Sequence, residues 1–152
     1  MASVLIIYGS SGGNTELTCE KVKEVLESKG VKTQMQRVEL SKIDDLKKAD
    51  LVVLAAPTYE HGVIQMHFIP FLKELKKVDL KQKPMAVIGL GDPKYDDHYH
   101  IESANVLTTA IKKSNGNTVM TALRVSRSPL LQLETRIKTW AENLAKILTI
   151  KP

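Results

Sequence analysis

The chain has 152 residues, 43% of them hydrophobic and 26% charged, with one cysteine and a formal charge of +5. That size suits a single domain, 1–152, with a sizeable core. The lone Cys19 excludes an internal disulfide, and the short apolar N-terminal run lacks the basic flank and cleavage site of a signal peptide. Nothing approaches a membrane span, so a cytoplasmic protein with no membrane partner is expected.

Strands and helices alternate along the chain. Residues 3–8 read as a strand buried on both faces, and 14–29 as a helix closed by Gly30. Cys19 falls inside that helix and reads as a small core residue. Residues 31–38 alternate as an outer strand does, and a short helical turn follows at 43–48. Residues 51–56 form a fully apolar strand, which Pro57 is expected to stop. Phe68, Phe71, Leu72 and Leu75 recur at helical spacing within 65–76, and Pro70 should fall in the first turn or kink the helix. A strand over 85–90, a helix over 101–114, a strand over 118–126 and a last helix over 129–149, containing Trp140, complete the pattern. Five strands alternating with four substantial helices predict an α/β fold with a parallel sheet covered on both faces. In such sheets ligands bind beyond the carboxyl ends of the strands, which singles out the loops 9–15, 57–64 and 91–100.

The first of these loops is the most informative. Gly9-Ser10-Ser11-Gly12-Gly13-Asn14-Thr15 joins a buried strand to a helix, whose first N–H groups are unpaired and carry the positive end of the helix dipole. The hydroxyl and amide side chains can add hydrogen bonds, so a phosphorylated ligand is expected there. The loop lacks the lysine of a nucleoside-triphosphate P-loop, since no Lys or Arg lies between Met1 and Glu20. It lacks the G-x-G-x-x-G spacing of a dinucleotide loop, and Gly89-Leu90-Gly91 fails that pattern at Lys94. A neutral loop of this kind suits one terminal phosphate. The other two loops gather Tyr59, His61, Tyr95, His98, Tyr99 and His100. His98-Tyr99-His100 with His61 has metal-binding chemistry but no cysteine or fixed carboxylate beside it, and reads better as a pH-responsive loop with no metal. No G-x-S-x-G elbow is present, and the strand ends lack the acidic residues and lysine of a signalling receiver domain.

Taken together, the loops resemble those of the flavodoxins. Tyr8 to Glu16 is similar to the family's phosphate loop, and Gly89-Leu90-Gly91-Asp92-Pro93-Lys94-Tyr95 to its third loop. The resemblance covers nearly the whole chain and is to the short-chain type. It implies a flavodoxin-like three-layer sandwich, a five-stranded parallel sheet of order 2-1-3-4-5, and FMN as cofactor. Carried over by position, Ser10, Ser11, Gly12, Gly13, Asn14 and Thr15 would surround the phosphate. Pro57, Thr58, Tyr59, Glu60, His61 and Gly62 would form the second loop, and Gly91, Asp92, Tyr95 and Tyr99 the third. Tyr59 would stack on the inner face of the flavin and Tyr95 on the outer face, while Thr58 would approach the ribityl chain or phosphate. No residue is expected to be catalytic.

The sequence departs from the family pattern at Gly12, often a threonine, and at Pro57, often a small hydroxyl residue. Glu60-His61 precede Gly62 where glycine usually follows the tyrosine, and a non-glycine backbone resists the peptide flip that accompanies flavin reduction. Flavodoxins are typically acidic, whereas Glu60, Asp92, Asp96 and Asp97 are here interleaved with Lys94 and histidines, so a less negative hydroquinone potential is expected. The function implied is low-potential electron transfer between redox partner proteins, with an FMN-dependent NAD(P)H:quinone or azo reductase as the alternative. The short loops favour the carrier, expected as a monomer. Residues 104–152 carry eight Lys/Arg against Glu134 and Glu142, which suggests docking on acidic protein surfaces. The charges are spread along helices and a strand, so no nucleic-acid partner is expected.

Overall fold

A computed structural model describes residues 2–10, 12–59, 63–91 and 101–149. Its elements, in chain order, are β1 (Ser3–Tyr8), α1 (Asn14–Ser28), β2 (Lys32–Arg37), β3 (Leu51–Tyr59), β4 (Val63–Ile64), α2 (Phe68–Leu75), β5 (Pro84–Gly91), α3 (Glu102–Lys113), β6 (Asn117–Thr118), β7 (Leu123–Ser126) and α4 (Lys138–Thr149). Two 3-10 turns, Val38–Leu40 and Ile43–Lys48, connect β2 to β3. The sheet runs β2-β1-β3-β5-β6, with β7 also paired to β5, all parallel. With β6 and β7 counted as one interrupted fifth strand, this is the order 2-1-3-4-5.

Side-chain alternation builds the layers. Val4, Ile6 and Tyr8 of β1, Leu51, Val53 and Ala55 of β3, and Ala86, Ile88 and Leu90 of β5 share one face with α1 and α4. Leu5, Ile7, Val52, Leu54, Ala56, Met85 and Val87 face α2 and α3. Cys19 is wholly buried in the first layer, and burial pushes its thiol pKa far above the ordinary value. It is a core residue and not a redox thiol. Among the described residues no helix is long and apolar enough to cross a membrane.

Several boundaries differ from the sequence reading. First, β3 does not stop at Pro57 but continues to Tyr59. The Gly9 N–H bonds the Ala55 carbonyl, so the next residue facing β1 is Pro57, and the β1 ladder ends at Tyr8 opposite Ala55. The missing proline N–H is therefore not needed. The Pro57 carbonyl accepts instead from Gln65 N–H, and the two-residue β4 folds back antiparallel on Thr58 and Tyr59. Second, the fifth strand breaks between Thr118 and Leu123, where the Thr121 carbonyl accepts from the Trp140 indole at 2.9 Å. Third, the last helix begins as a 3-10 turn, Pro129–Gln132, capped by Ser128, and a π-helical turn, Leu133–Ile137, before α4 proper. Pro70 sits in the first turn of α2, where a backbone N–H would have no intrahelical partner to lose.

Candidate functional site

β1, β3 and β5 end side by side at Tyr8, Tyr59 and Gly91, and strand order reverses between β1 and β3. The loop after β1 enters α1 through Gly13, whose φ of +89° places it in the left-handed region that glycine adopts without strain. Gly9 is needed for a different reason. A Cβ there would stand 2.6 Å from the Gln65 side-chain oxygen, so the chain after β4 packs directly on the loop. Ser10 is buried, and its hydroxyl accepts the Gly13 N–H at 3.1 Å, holding the turn closed.

The helix mouth is built for an anion. Among the described residues no side chain caps α1, and its first-turn N–H groups point out of the helix without intrahelical partners. Thr15, in that first turn, is 1% exposed, and its hydroxyl has no hydrogen-bond partner among the described residues. A buried hydroxyl left unpaired costs free energy that a ligand acceptor would recover. Among the described residues nothing lies within 4 Å of where a Cβ at Gly12 would stand, which leaves room for a phosphate. Asn14 is exposed at the helix start, with its carbonyl taken by Thr18. Ser10, Gly12, Gly13, Asn14 and Thr15 are thus brought together around one mouth, and their chemistry fits the phosphate of FMN.

In the second loop Thr58 serves first as a structural clamp. Its hydroxyl donates to Ser103 Oγ at 2.8 Å and accepts the Ser103 N–H at 2.9 Å, while Ser103 Oγ donates to the Ala56 carbonyl. The proton of Thr58 is committed, so toward a ligand the hydroxyl retains only a lone pair for accepting. Gly91, at the end of β5, lies against Thr58 and Ile101. Ile101 itself is β-branched with φ of +55°, a conformation costly for such a residue. Arg124 Nη1 and the Ala104 N–H both bond its carbonyl and hold it there. Ser11, Glu60, His61, Gly62, Asp92, Tyr95 and Tyr99 lie outside the described residues, as do His98 and His100, and only the backbone of Tyr59 is described.

Three residues of this neighbourhood escaped the sequence reading. Ser103 has no motif signature, and Gln65, fully buried, looked like part of a helix start. Its side-chain oxygen accepts the His67 N–H, and its carbonyl accepts the Phe68 N–H, so α2 begins three residues later than 65. The third is Arg37, which reaches the phosphate loop from β2 and bonds the Ser10 carbonyl at 2.5 Å. The loop is neutral in its own sequence but not in its surroundings.

The family model described as flavodoxin matches residues 6–140. A flavodoxin of Maridesulfovibrio salexigens is 28% identical over 148 residues, covering 95% of this chain and 98% of that protein. A probable flavodoxin 2 of Bacillus subtilis is 24% identical, covering 96% of each. Among solved structures, a short-chain flavodoxin associated with a bacterial microcompartment superposes with a TM-score of 0.87 at 25% identity, over 98% of this chain and all of that one. The FMN-bound flavodoxin of Fusobacterium nucleatum gives 0.82 at 17% identity, over 98% of this chain and 100% of that one, a likeness of fold. With its strand order, its uncapped helix mouth and a family model spanning most of its length, the chain belongs to the flavodoxin family.

Proposed function

We propose that this flavodoxin holds the phosphate of FMN between Ser10, Ser11, Gly12, Gly13, Asn14 and Thr15, and the rest of the cofactor between the second and third loops. As a flavodoxin it is an FMN electron-transfer protein and not an enzyme. Bound FMN supplies the redox chemistry, and the protein's part is to bind and orient it. The observation that carries the residue assignment is the buried, unpartnered Thr15 hydroxyl at an uncapped helix N-terminus. Pro57, Thr58, Tyr59, Glu60, His61 and Gly62 form the second wall of the site in this proposal. Gly91, Asp92, Tyr95 and Tyr99 form the third, with Tyr59 and Tyr95 stacking on the two faces of the flavin.

The chain exchanges electrons with redox partner proteins; the finer reading is that these present acidic docking surfaces. In its support, the Arg127 N–H bonds the Gly91 carbonyl, so the segment after β7 starts beside the third loop. There Leu130 and Leu131 are 65% and 90% exposed, with exposed Arg127 before them and exposed Arg136 after. An apolar contact with an exposed arginine on either side of it in sequence fits a partner with carboxylates beside an apolar patch. Arg124 is not part of this face, since its guanidinium is tied to Asn105 and Ile101. The reading is completed by one domain acting as a monomer in the cytoplasm.

The first experiment is the visible spectrum of the purified protein, followed by titration of the apoprotein with FMN. Quenched flavin fluorescence and a one-to-one endpoint are expected. Fluorescence unchanged on addition of FMN would refute the site.

A further inference from the structure

The phosphate loop carries no basic residue in its own sequence, yet the fold delivers one. Arg37 closes β2 in register with Tyr8, the last residue of β1. From there its guanidinium spans four groups. Nη2 donates to the Ser10 carbonyl at 2.5 Å, and Nη1 lies 3.4 Å from Glu16 Oε1. Nε donates to Glu39 Oε2 at 2.8 Å, and Cζ stands 5.5 Å from the centroid of the Tyr8 ring. Only the planar fork of arginine can reach three acceptors and stack on an aromatic ring at once.

Two of these contacts act on the ligand mouth. Ser10 is gripped by its carbonyl, and its hydroxyl in turn accepts the Gly13 N–H, so Arg37 sets the turn that aims the helix start. Glu16 lies in the first turn of α1, where a bare carboxylate would repel an arriving phosphate dianion. Arg37 offsets that charge. Its own charge is secure, because the bonded Glu39 carboxylate holds the guanidinium pKa above its ordinary value. The two contacts distinguish a residue serving the phosphate from one that only ties β2 to β1.

We propose that Arg37 is the positioning residue of the phosphate site, acting through Ser10 and Glu16 to make the chain select a phosphorylated flavin over an unphosphorylated one. The proposal rests on the FMN reading above.

The test compares FMN and riboflavin binding to the wild-type apoprotein, to Arg37→Gln and to Arg37→Lys, with a thermal melt of each. For Arg37→Gln, FMN affinity is expected to fall roughly ten- to a hundredfold, the size of one hydrogen bond to a charged group, while riboflavin affinity stays unchanged. Arg37→Lys keeps a charge to offset Glu16 but not the fork that also holds the Ser10 carbonyl, so it is expected to recover only part of the loss. Equal losses for both flavins would make Arg37 a structural tie and overturn the proposal. So would an unchanged FMN affinity, or full rescue by lysine. A wild-type protein that binds neither flavin would instead refute the FMN reading itself.

Discussion

Thr15 and Thr58 are both buried threonines at the carboxyl edge of the sheet, and the protein treats their hydroxyls in opposite ways. The Thr15 hydroxyl is unpartnered, so the isosteric Thr15→Val removes a burden from the apoprotein while removing a donor from the ligand site. The expected result is an apoprotein melting no lower than wild type, with FMN affinity down about tenfold, roughly one hydrogen bond to an anion. Fluorescence titration and a thermal melt check the two halves separately; a lower melting temperature would show that the hydroxyl has a protein partner after all. The Thr58 hydroxyl, by contrast, is spent on Ser103. Ser103→Ala leaves the Thr58 proton and the Ala56 carbonyl without their partner, and urea unfolding should show a loss of about 1–3 kcal/mol. Thr15 was legible because it follows glycines and serines at a helix start, whereas Ser103 lies 45 positions from Thr58.

At the scale of elements, the connection from β2 to β3 determines where Arg37 ends up. Asp45 accepts the Lys42 N–H and the Gln36 amide, each at 2.9 Å, and pairs with Lys48 at 2.8 Å. Gln36 also bonds Ser41, whose hydroxyl donates to the Arg37 carbonyl. The Lys48 ammonium, foremost, with the Lys42 N–H and Gln36 amide, pulls the Asp45 carboxyl down to about 2. Since the folded-state value lies below the unfolded one, the stabilisation is fully present above the unfolded carboxylate range near pH ~4. It is lost as pH falls from there through about 2. Asp45→Asn should therefore cost roughly 1–2 kcal/mol at neutral pH and flatten the acid side of the stability profile. Denaturant unfolding between pH 2 and 7 checks this; parallel profiles for the two proteins would show that Asp45 does not titrate as its contacts imply. The helical turn at 43–48 was readable from its sequence, but its hydrogen bonds to the end of β2 were not. Likewise Pro57 reads locally as a strand end, and becomes acceptable within β3 only because β1 has already finished beside it.

Over the whole molecule, the charge asymmetry of the chain becomes a surface with a position. The family is typically acidic, yet residues 104–152 are strongly basic, and the exposed Leu130 and Leu131 lie between Arg127 and Arg136. If docking runs through that face, electron transfer to an acidic partner should slow steeply between low and physiological ionic strength, because the Debye length shrinks to about 8–10 Å and salt then screens the partners' charges from one another. Stopped-flow reduction across a salt series measures this, and Arg127→Gln should flatten the dependence while leaving FMN binding unchanged. A rate indifferent to salt would remove the acidic partner from the account.

The sequence by itself determined the layered parallel sheet, because strands that alternate with amphipathic helices and are apolar on both faces can bury themselves in few other ways. It also singled out the loop after the first strand as the candidate phosphate site, since a run of small residues between a buried strand and a helix concentrates unpaired N–H groups at one point. Tertiary structure alone decided which hydroxyls at that point are spent and which remain available, as Thr58 and Thr15 show. It alone brought Arg37 to a loop 27 positions away. The difference is physical: backbone periodicity and turn chemistry act over a few neighbouring residues. Hydrogen-bond partners and ion pairs are chosen only when distant strands meet in register.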